Sequence, residues 1–213
     1  EVVYHQIGVQ RHDAVINAVI PDVRQQVEVD QHDPGKQPSF PVQEPDGKRQ
    51  QHGVGGAPGG ICFGLKQEFG DAAHVYFAEP VEAPCMLLGL ASGLQNAICV
   101  QDIGLTGRTA ADGLAVSRPS GFVGETVKAI VSGGFTVSDE HLFTDLHALH
   151  ETERLFVEPS ACAGFAGAVE LSKMTDYLES SGLGAHWENA AHIVWVTGGA
   201  LVPEGEREKY LAN

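Results

Sequence analysis

The chain has few basic residues, no long apolar run and no export signal at its start. Its 13 lysines and arginines face 28 aspartates and glutamates, which gives a formal net charge of -15. Nucleic acids and anionic membranes attract basic side chains, so this balance argues against both as partners. No stretch approaches the roughly 20 apolar residues that span a bilayer, and residues 1–20 lack a basic start followed by an apolar run. These absences favour a cytoplasmic protein that acts on a small molecule.

Cysteine is also scarce, with four residues in the whole chain: Cys62, Cys85, Cys99 and Cys162. They have apolar neighbours and no Cys-x-x-Cys spacing. This pattern favours reduced, buried thiols over a disulfide framework or a zinc site.

The composition changes sharply at residue 53. Residues 1–52 hold five of the 11 prolines but only three of the 26 glycines. Scattered prolines without a sustained period indicate loop or disorder, so we predict an atypical, poorly structured segment here. From 53 to 213, apolar β-type runs alternate with helical stretches. This alternation predicts an α/β fold with an open, mostly parallel twisted sheet and helices on both faces.

The predicted strands are short, apolar and bounded by turn residues; they are 74–78, 135–137, 155–157 and 192–196. The predicted helices are 60–69, 83–94, 109–117, 123–132, 139–152, 161–174 and 203–211.

The segment GVGGAPGG, residues 53–60, is the richest in glycine. Glycines let successive amides point toward one spot, and a helix start adds its own unpaired amides, so the segment suits a phosphate. It lacks the Gly-Lys-Ser/Thr of a Walker loop and the acidic residue of a dinucleotide fingerprint, which disfavours ATP and NAD. A tight turn alone explains the glycines equally well.

Four further motifs follow this segment in order: AEPVEAPC at 78–85, TAADGLAV at 109–116, VEPSACAG at 157–164 and WVTGGALVPE at 195–204. Together the five motifs resemble the second half of the bacterial D-serine dehydratases, a family of pyridoxal-phosphate enzymes of fold type II, which also includes threonine dehydratase and serine racemase. The likeness covers residues 53–213. It implies a lyase that converts D-serine to pyruvate and ammonia by β-elimination. An L-serine or threonine dehydratase, a serine racemase relative and a non-catalytic cofactor-binding remnant stay open as alternatives.

The resemblance also assigns residues to the cofactor, pyridoxal 5'-phosphate. The glycines it implies at the cofactor phosphate are Gly53, Gly55, Gly56, Gly59 and Gly60. It implies that Thr197 bonds the pyridine nitrogen, where a hydroxyl leaves that nitrogen neutral. Without the resemblance, Thr197 would be interpreted as a cap or turn residue.

Glu158 and Ser160 are predicted to face the cofactor, although Pro159 at a helix start explains the local pattern equally well. Asp112 either orients the cofactor region or caps a turn.

The resemblance further implies a structural cation, potassium or another monovalent ion. Glu79 would supply a carboxylate, and backbone oxygens near Ala83 and Cys85 would complete the set of hard oxygen ligands. By residue type alone, Glu79 would be an exposed acid at a strand end.

Histidines cluster on the predicted helix 139–152. His141, His147, His150 and Glu151 could be considered for zinc, but an exposed polar helix face is the preferred interpretation.

One element of the family pattern is missing. In the resembling family the Schiff-base lysine belongs to a Ser-x-Lys-x-Arg-Gly motif in the first half of the enzyme, and no lysine here matches it. Without this base, efficient turnover by the chain alone is not expected. The polar stretch PDGKRQQH also stands where the fold calls for a buried strand. We therefore hypothesise that residues 1–52 come from a shifted reading frame or an alternative start. The sequence leaves the oligomeric state open, with a monomer as the expectation.

Overall fold

The computed structural model describes residues 3–5, 56–196 and 198–212. The predicted boundary at residue 53, the predicted poorly structured segment 1–52 apart from its residues 3–5, and the site residues Gly53, Gly55 and Thr197 lie outside these ranges.

The described strands form one sheet in the order β1-β3-β2. These strands are β1 (Val3–His5), β2 (Tyr76–Pro80) and β3 (Gly133–Val137). β2 and β3 run parallel, with Ala78 opposite Phe135, whereas β1 pairs antiparallel to β3. The parallel pair confirms the predicted α/β class.

The described helices are α1 (Gly56–Phe69), α2 (Cys85–Ser92), α3 (Gly121–Val127), α4 (Asp139–Glu153), α5 (Pro159–Cys162), α6 (Phe165–Leu171), α7 (Thr175–Ser181) and α8 (Glu204–Ala212). Short 3-10 turns lie between several of them. The predictions for α2, α4 and α8 are confirmed, with small differences at their ends.

Two apolar cores lie against the sheet. Phe77 of β2 packs with residues of α1, α2 and α3 in the first core. Its neighbours Tyr76 and Ala78 join Phe135 of β3 and residues of α4, α5 and α6 in the second. Because successive residues of a strand point to opposite faces, the two cores lie on opposite faces of the sheet. Helices on both faces, as predicted, are therefore confirmed.

Two predicted strands are wrong. Residues 155–157 and 192–196 form no strand within the described part of the chain. Val157 is buried in the second core, while Ile193 and Trp195 line a cavity. Their apolar character reflects burial against helices and a cavity, and a short apolar run does not specify whether its backbone will pair.

Two predicted helices are also wrong. Residues 109–117 contain only a 3-10 turn, Asp112–Leu114, and the Thr109 hydroxyl and the Ala110 amide donate to the Asp139 carboxylate. Residues 161–174 form two short helices, α5 and α6. α3 is shorter than the predicted 123–132 and begins two residues earlier, and α7 was not predicted.

Within residues 3–5, 56–196 and 198–212, no helix combines the length and apolar character needed to cross a membrane. All four cysteines are free thiols; Cys62, Cys85 and Cys162 are buried and Cys99 is half-buried. The prediction of reduced thiols is confirmed, and that of burial holds for three of them.

Candidate functional site

The glycine-rich segment enters a helix earlier than predicted. α1 begins at Gly56, so Gly56, Gly59 and Gly60 lie in a helix and not in the predicted loop. The first amides of an α-helix have no partner within the helix. Since Pro58 has no amide hydrogen, Gly56 and Ala57 present the described amide donors of this first turn. A helix start of this kind suits a phosphate.

The glycines of α1 serve different purposes. Among the described residues outside its own helix backbone, a methyl group built on Gly56 or Gly60 would meet no atom within 4 Å. On Gly59 it would lie 2.5 Å from Cγ1 of Val123 in α3. Gly59 therefore allows α1 and α3 to approach closely, whereas Gly56 and Gly60 leave open space beside the start of the helix.

A cavity of about 260 Å³ lies beside this first turn and extends along β2. Its wall is mainly apolar, with Glu79 and Ser160 among its few polar residues. The other lining residues are Ala57, Pro58, Ile61, Leu65, Val75, Tyr76, Phe77, Ala78, Cys85, Met86, Leu114, Val116, Ala161, Ala163, Gly164, Ile193 and Trp195. An apolar cleft with a few convergent polar groups is typical of small-molecule sites.

Glu79 connects the end of β2 to the start of α2. Its carboxylate oxygens accept hydrogen bonds from the amides of Met86 at 2.8 Å and Leu87 at 2.7 Å. The residue is only 8% exposed, so the alternative of a surface acid is wrong. Burial raises the pKa of Glu79 to about 7, while the two amide bonds act in the opposite direction. Burial and the charge of Glu79 together raise the pKa of the Cys85 thiol.

The two other residues implied in the cation site lie next to Glu79. Ala83 and Cys85 are buried, and the Cys85 amide donates to the Ala83 carbonyl at 3.0 Å. The Cys85 thiol also bonds the Glu79 carboxylate, so only one carboxylate oxygen keeps a second lone pair beside its amide bond. In the part of the chain that the structure describes, no three His, Cys, Asp or Glu side chains converge to hold a metal. A cation here would depend on Glu79 and backbone oxygens.

Glu158 and Ser160 lie on either side of the start of α5. The Ser160 hydroxyl accepts a hydrogen bond from the Gly113 amide at 3.0 Å. A methyl group on Gly198, the residue after Thr197, would lie 2.4 Å from Oε1 of Glu158. The structure thus brings Glu158 close to the segment that carries Thr197.

Glu158 and Ser160, the two predicted cofactor residues near the start of α5, nevertheless line different cavities. Ser160 lines the 260 Å³ cavity. Glu158 lines a second cavity of about 600 Å³, together with residues 198–203 and the α8 residues Glu206 and Tyr210. Of the predicted pair, only Ser160 therefore lines the 260 Å³ cavity.

The remaining candidates have local roles. Asp112 is exposed and opens the 3-10 turn 112–114, where its carbonyl accepts from the Ala115 amide at 3.2 Å. On α4, Nε2 of His141 lies 3.9 Å from Oδ1 of Asp145. The cap residue of the 112–114 turn is Ala111, and no side chain makes a capping hydrogen bond there, so neither interpretation of Asp112 is confirmed.

No lysine of the described part of the chain lines the 260 Å³ cavity. Lys128, Lys173 and Lys209 each pair with a glutamate three residues earlier on the chain. Their placement agrees with the lack of a match to the Schiff-base motif.

Sequence reasoning missed several residues that shape the site. Gly113 approaches Ser160 closely and Gly198 approaches Glu158 closely, and Arg207 of α8 bonds the loop after Thr197. The glycines occur within quoted motifs and could have been inferred. Arg207 lies in the charged run EGEREK, which gives no signal of a specific partner.

The same fold occurs in a diaminopropionate ammonia lyase, a serine racemase and a threonine deaminase. Diaminopropionate ammonia lyase from Escherichia coli in complex with D-serine matches with a TM-score of 0.56 and 17% identity, over 75% of this chain and 39% of that one. Maize serine racemase matches with a TM-score of 0.55 and 22% identity, over 76% and 46% of the two chains. Threonine deaminase isoform 2 from Solanum lycopersicum has a TM-score of 0.53 and 20% identity, over 76% and 42%. At these identities the likeness concerns the fold alone.

A family model described as "Pyridoxal-phosphate dependent enzyme" matches residues 43–181. The chain belongs to this family. It is 51% identical over 162 residues to D-serine dehydratase of Serratia proteamaculans, covering 76% of this chain and 36% of the relative. It is 52% identical over 158 residues to a probable D-serine dehydratase of Bacillus cereus, covering 74% and 36%. The resemblance found in the sequence is confirmed, and the chain spans about a third of the length of these relatives.

Proposed function

We propose that this chain forms part of a pyridoxal-phosphate-dependent D-serine ammonia-lyase, which converts D-serine to pyruvate and ammonia by β-elimination. The observation that carries this proposal is the 51% identity over 162 residues to the Serratia D-serine dehydratase. The serine racemase and threonine deaminase structures share the fold at 22% and 20% identity. The D-serine enzyme is therefore favoured over these alternatives.

The residues present fit the cofactor. The amides of the 53–60 segment would hold its phosphate, because the start of α1 offers unpaired donors and the positive end of a helix dipole. The absence of any atom within 4 Å of a methyl on Gly56 or Gly60 leaves room for such an approach. When bound, pyridoxal phosphate supplies an electron sink for the α-carbon of an amino acid.

Residues of this part of the chain would orient the cofactor ring and keep water away from it. We propose that the Thr197 hydroxyl donates to the ring nitrogen and that Ser160 and Glu158 flank the ring. Phe77, Met86 and Trp195 contribute apolar walls to the cavity, and exclusion of water strengthens the electrostatic interactions inside. The lysine that moves the α-proton would belong to the Ser-x-Lys-x-Arg-Gly motif, which this sequence does not contain.

We further propose a monovalent cation, such as potassium, at Glu79 with backbone oxygens of Ala83 and Cys85. Hard oxygen ligands suit this ion. Potassium should then raise the melting temperature of the chain more than equal concentrations of lithium or choline, and Glu79→Gln should abolish the difference. Equal melting temperatures in the three salts would exclude a cation site here.

For the complete enzyme we propose a cytoplasmic monomer that takes D-serine or a related hydroxy amino acid. The net charge of -15 disfavours nucleic acid and anionic membranes as partners. Residues 1–52 are proposed to be separate from the cofactor-binding part, 53–213. Retranslating the upstream gene in its other frames tests their origin, since a shifted frame would contain an apolar strand and the lysine motif.

The function is tested by supplying the missing part. The chain is purified alone and also co-expressed with the N-terminal part of the Serratia enzyme, and pyruvate is measured with pyridoxal phosphate and D-serine, L-serine or L-threonine. We expect cofactor binding by the chain alone, and pyruvate from D-serine when both parts are present.

Faster turnover of L-serine or L-threonine would contradict the proposed substrate. Cofactor binding without pyruvate in the combined sample, and without a lysine adduct trapped by borohydride, would support a non-catalytic remnant. No binding of pyridoxal phosphate in either sample would overturn the proposal.

A further inference from the structure

Arg207 of α8 holds the loop that follows Thr197. Its Nε donates to the carbonyl of Val202 at 2.9 Å. Its Nη2 donates to the carbonyls of Gly199 at 3.2 Å and Ala200 at 3.0 Å. Arginine presents its donors in a rigid planar fork, so one side chain fixes three carbonyls of this loop, residues 198–202, at once.

The same guanidinium contacts the segment that leads to Glu158. Its carbon lies 5.2 Å from the centre of the Phe156 ring, within the range of a cation–π interaction. Its ion pair with Glu204 is long, at 3.9 Å, and that glutamate side chain is 77% exposed, so this pair contributes little. The main contacts of Arg207 therefore join the 198–202 loop to the residues before α5.

The loop packs closely against that segment at its glycines. A methyl group on Gly199 would lie 2.7 Å from the Cα of Val157, and one on Gly198 would touch the Glu158 carboxylate. Gly198 and Gly199 have φ values of +88° and +117°, which other residues rarely adopt. Neither the 155–158 segment nor residues 198–202 forms a strand, so side-chain contacts such as those of Arg207 determine how they fit together.

We propose that Arg207 is a positioning residue. By fixing the 198–202 loop against the Phe156–Glu158 segment, it fixes the side of the site where the cofactor ring would lie. This inference rests on the proposed function, because the ring is that of pyridoxal phosphate. Arg207 does not line the 260 Å³ cavity and acts through the loop. Its effect should therefore concern the ring of the cofactor and not the phosphate, which is held at α1.

The first test needs no cofactor. Hydrogen exchange is measured at the amides of residues 198–202 in the wild-type chain, Arg207→Gln, Arg207→Lys and Lys209→Gln. Lys209→Gln removes the same charge from the same helix, but its ammonium pairs with Glu206. We expect the Val202 amide, which donates to Gly199, to exchange about tenfold faster in Arg207→Gln. Arg207→Lys should be intermediate, and Lys209→Gln should match the wild type.

The second test compares two ligands by tryptophan fluorescence, since Trp195 lines the cavity. Arg207→Gln should bind pyridoxal phosphate about tenfold more weakly, which corresponds to about 1.4 kcal/mol. Its affinity for inorganic phosphate should be unchanged. Partial rescue by Arg207→Lys is expected.

Unchanged exchange in Arg207→Gln would overturn the inference. An equal loss of affinity for pyridoxal phosphate and inorganic phosphate would also overturn it, because that result indicates general damage to the fold. If the wild-type chain binds no pyridoxal phosphate, the proposed function fails together with the role of Arg207 at the ring. The exchange rates would still decide whether Arg207 fixes the loop.

Discussion

Glu79 ties the end of a strand to the first turn of the next helix. Both its carboxylate oxygens accept amide hydrogens of α2. The family resemblance predicted a cation-binding carboxylate at this position, and residue type alone predicted an exposed acid. Neither interpretation includes the amides of Met86 and Leu87, because contact over seven or eight residues depends on the angle between β2 and α2. A buried carboxylate here serves the fold whether or not a cation binds.

The burial of Glu79 predicts a pH dependence. Its pKa is about 7 in the folded chain, raised from 4.5, so between these values the folded state holds a proton that the unfolded state has lost. The free energy of unfolding should therefore fall as the pH rises from about 4.5 to about 7. Urea unfolding in choline buffer over this range measures it. In Glu79→Gln this component of the pH dependence should disappear, and identical pH profiles for the two proteins would contradict the assignment.

Gly59 and Gly60 form a matched pair for testing the contact between α1 and α3. Gly59→Ala should destabilise the chain by about 1–3 kcal/mol, since the new methyl overlaps the stiff, branched side chain of Val123. Gly60→Ala should be neutral or stabilising by up to about 1 kcal/mol, because open space surrounds it and alanine favours a helix. Chemical denaturation of both variants provides the comparison. Equal effects would mean that the two helices do not meet at Gly59.

At the scale of elements, α4 was predicted well, whereas the start of α3, which also has a serine cap at Ser120, was predicted two residues late. α4 begins after Ser138, whose side chain accepts from the His141 amide, and the Ser/Thr-type start is visible in the sequence. The 109–117 segment forms no helix, and its first residues bond Asp139, 30 residues further along the chain than Thr109. Competing bonds of this kind are invisible to local patterns.

The start of α1 gives an element-scale prediction. Gly56→Asp places a negative charge at the positive end of the helix, which should leave the free chain equally or slightly more stable. The same charge should repel a phosphate and weaken pyridoxal phosphate binding by about tenfold or more. Fluorescence titration and thermal unfolding measure both effects.

Gln67→Glu is the control, since residue 67 is exposed near the other end of α1. It adds the same charge and should leave the affinity unchanged. Weakening by both variants alike would indicate a general charge effect, and no weakening by Gly56→Asp would place the phosphate elsewhere.

For the molecule as a whole, the alternation of apolar runs and helices was sufficient to predict a parallel pair of strands with helices on both faces. The two segments wrongly predicted as strands are apolar for another reason. Val157 is buried among helices, and Trp195 faces a cavity. The candidate site was predicted through motifs shared with a family, and the structure adds the contacts of Arg207, which no motif includes. Burial could be inferred from composition, whereas backbone pairing and long-range polar contacts could not.

The packing of the whole molecule predicts its thiol chemistry. Burial raises the pKa values of Cys62 and Cys162 to about 11 and about 12, and Cys85 is also buried, whereas Cys99 is half-buried. A disulfide exchange reagent at pH 8 should therefore modify one thiol rapidly in the native chain and four in denaturant. Cys99→Ser should remove the rapid phase. Rapid modification of three or four thiols in the native chain would show that the two cores are loosely packed.

The contact between the 155–158 and 198–202 segments has an evolutionary consequence. Gly199 lies against Val157, and Arg207 spans both segments from α8. Substitutions on this outlying helix can shift a neighbouring pocket without altering any group that meets a ligand. Related sequences could thus differ in their affinity for pyridoxal phosphate while their signature motifs stay identical.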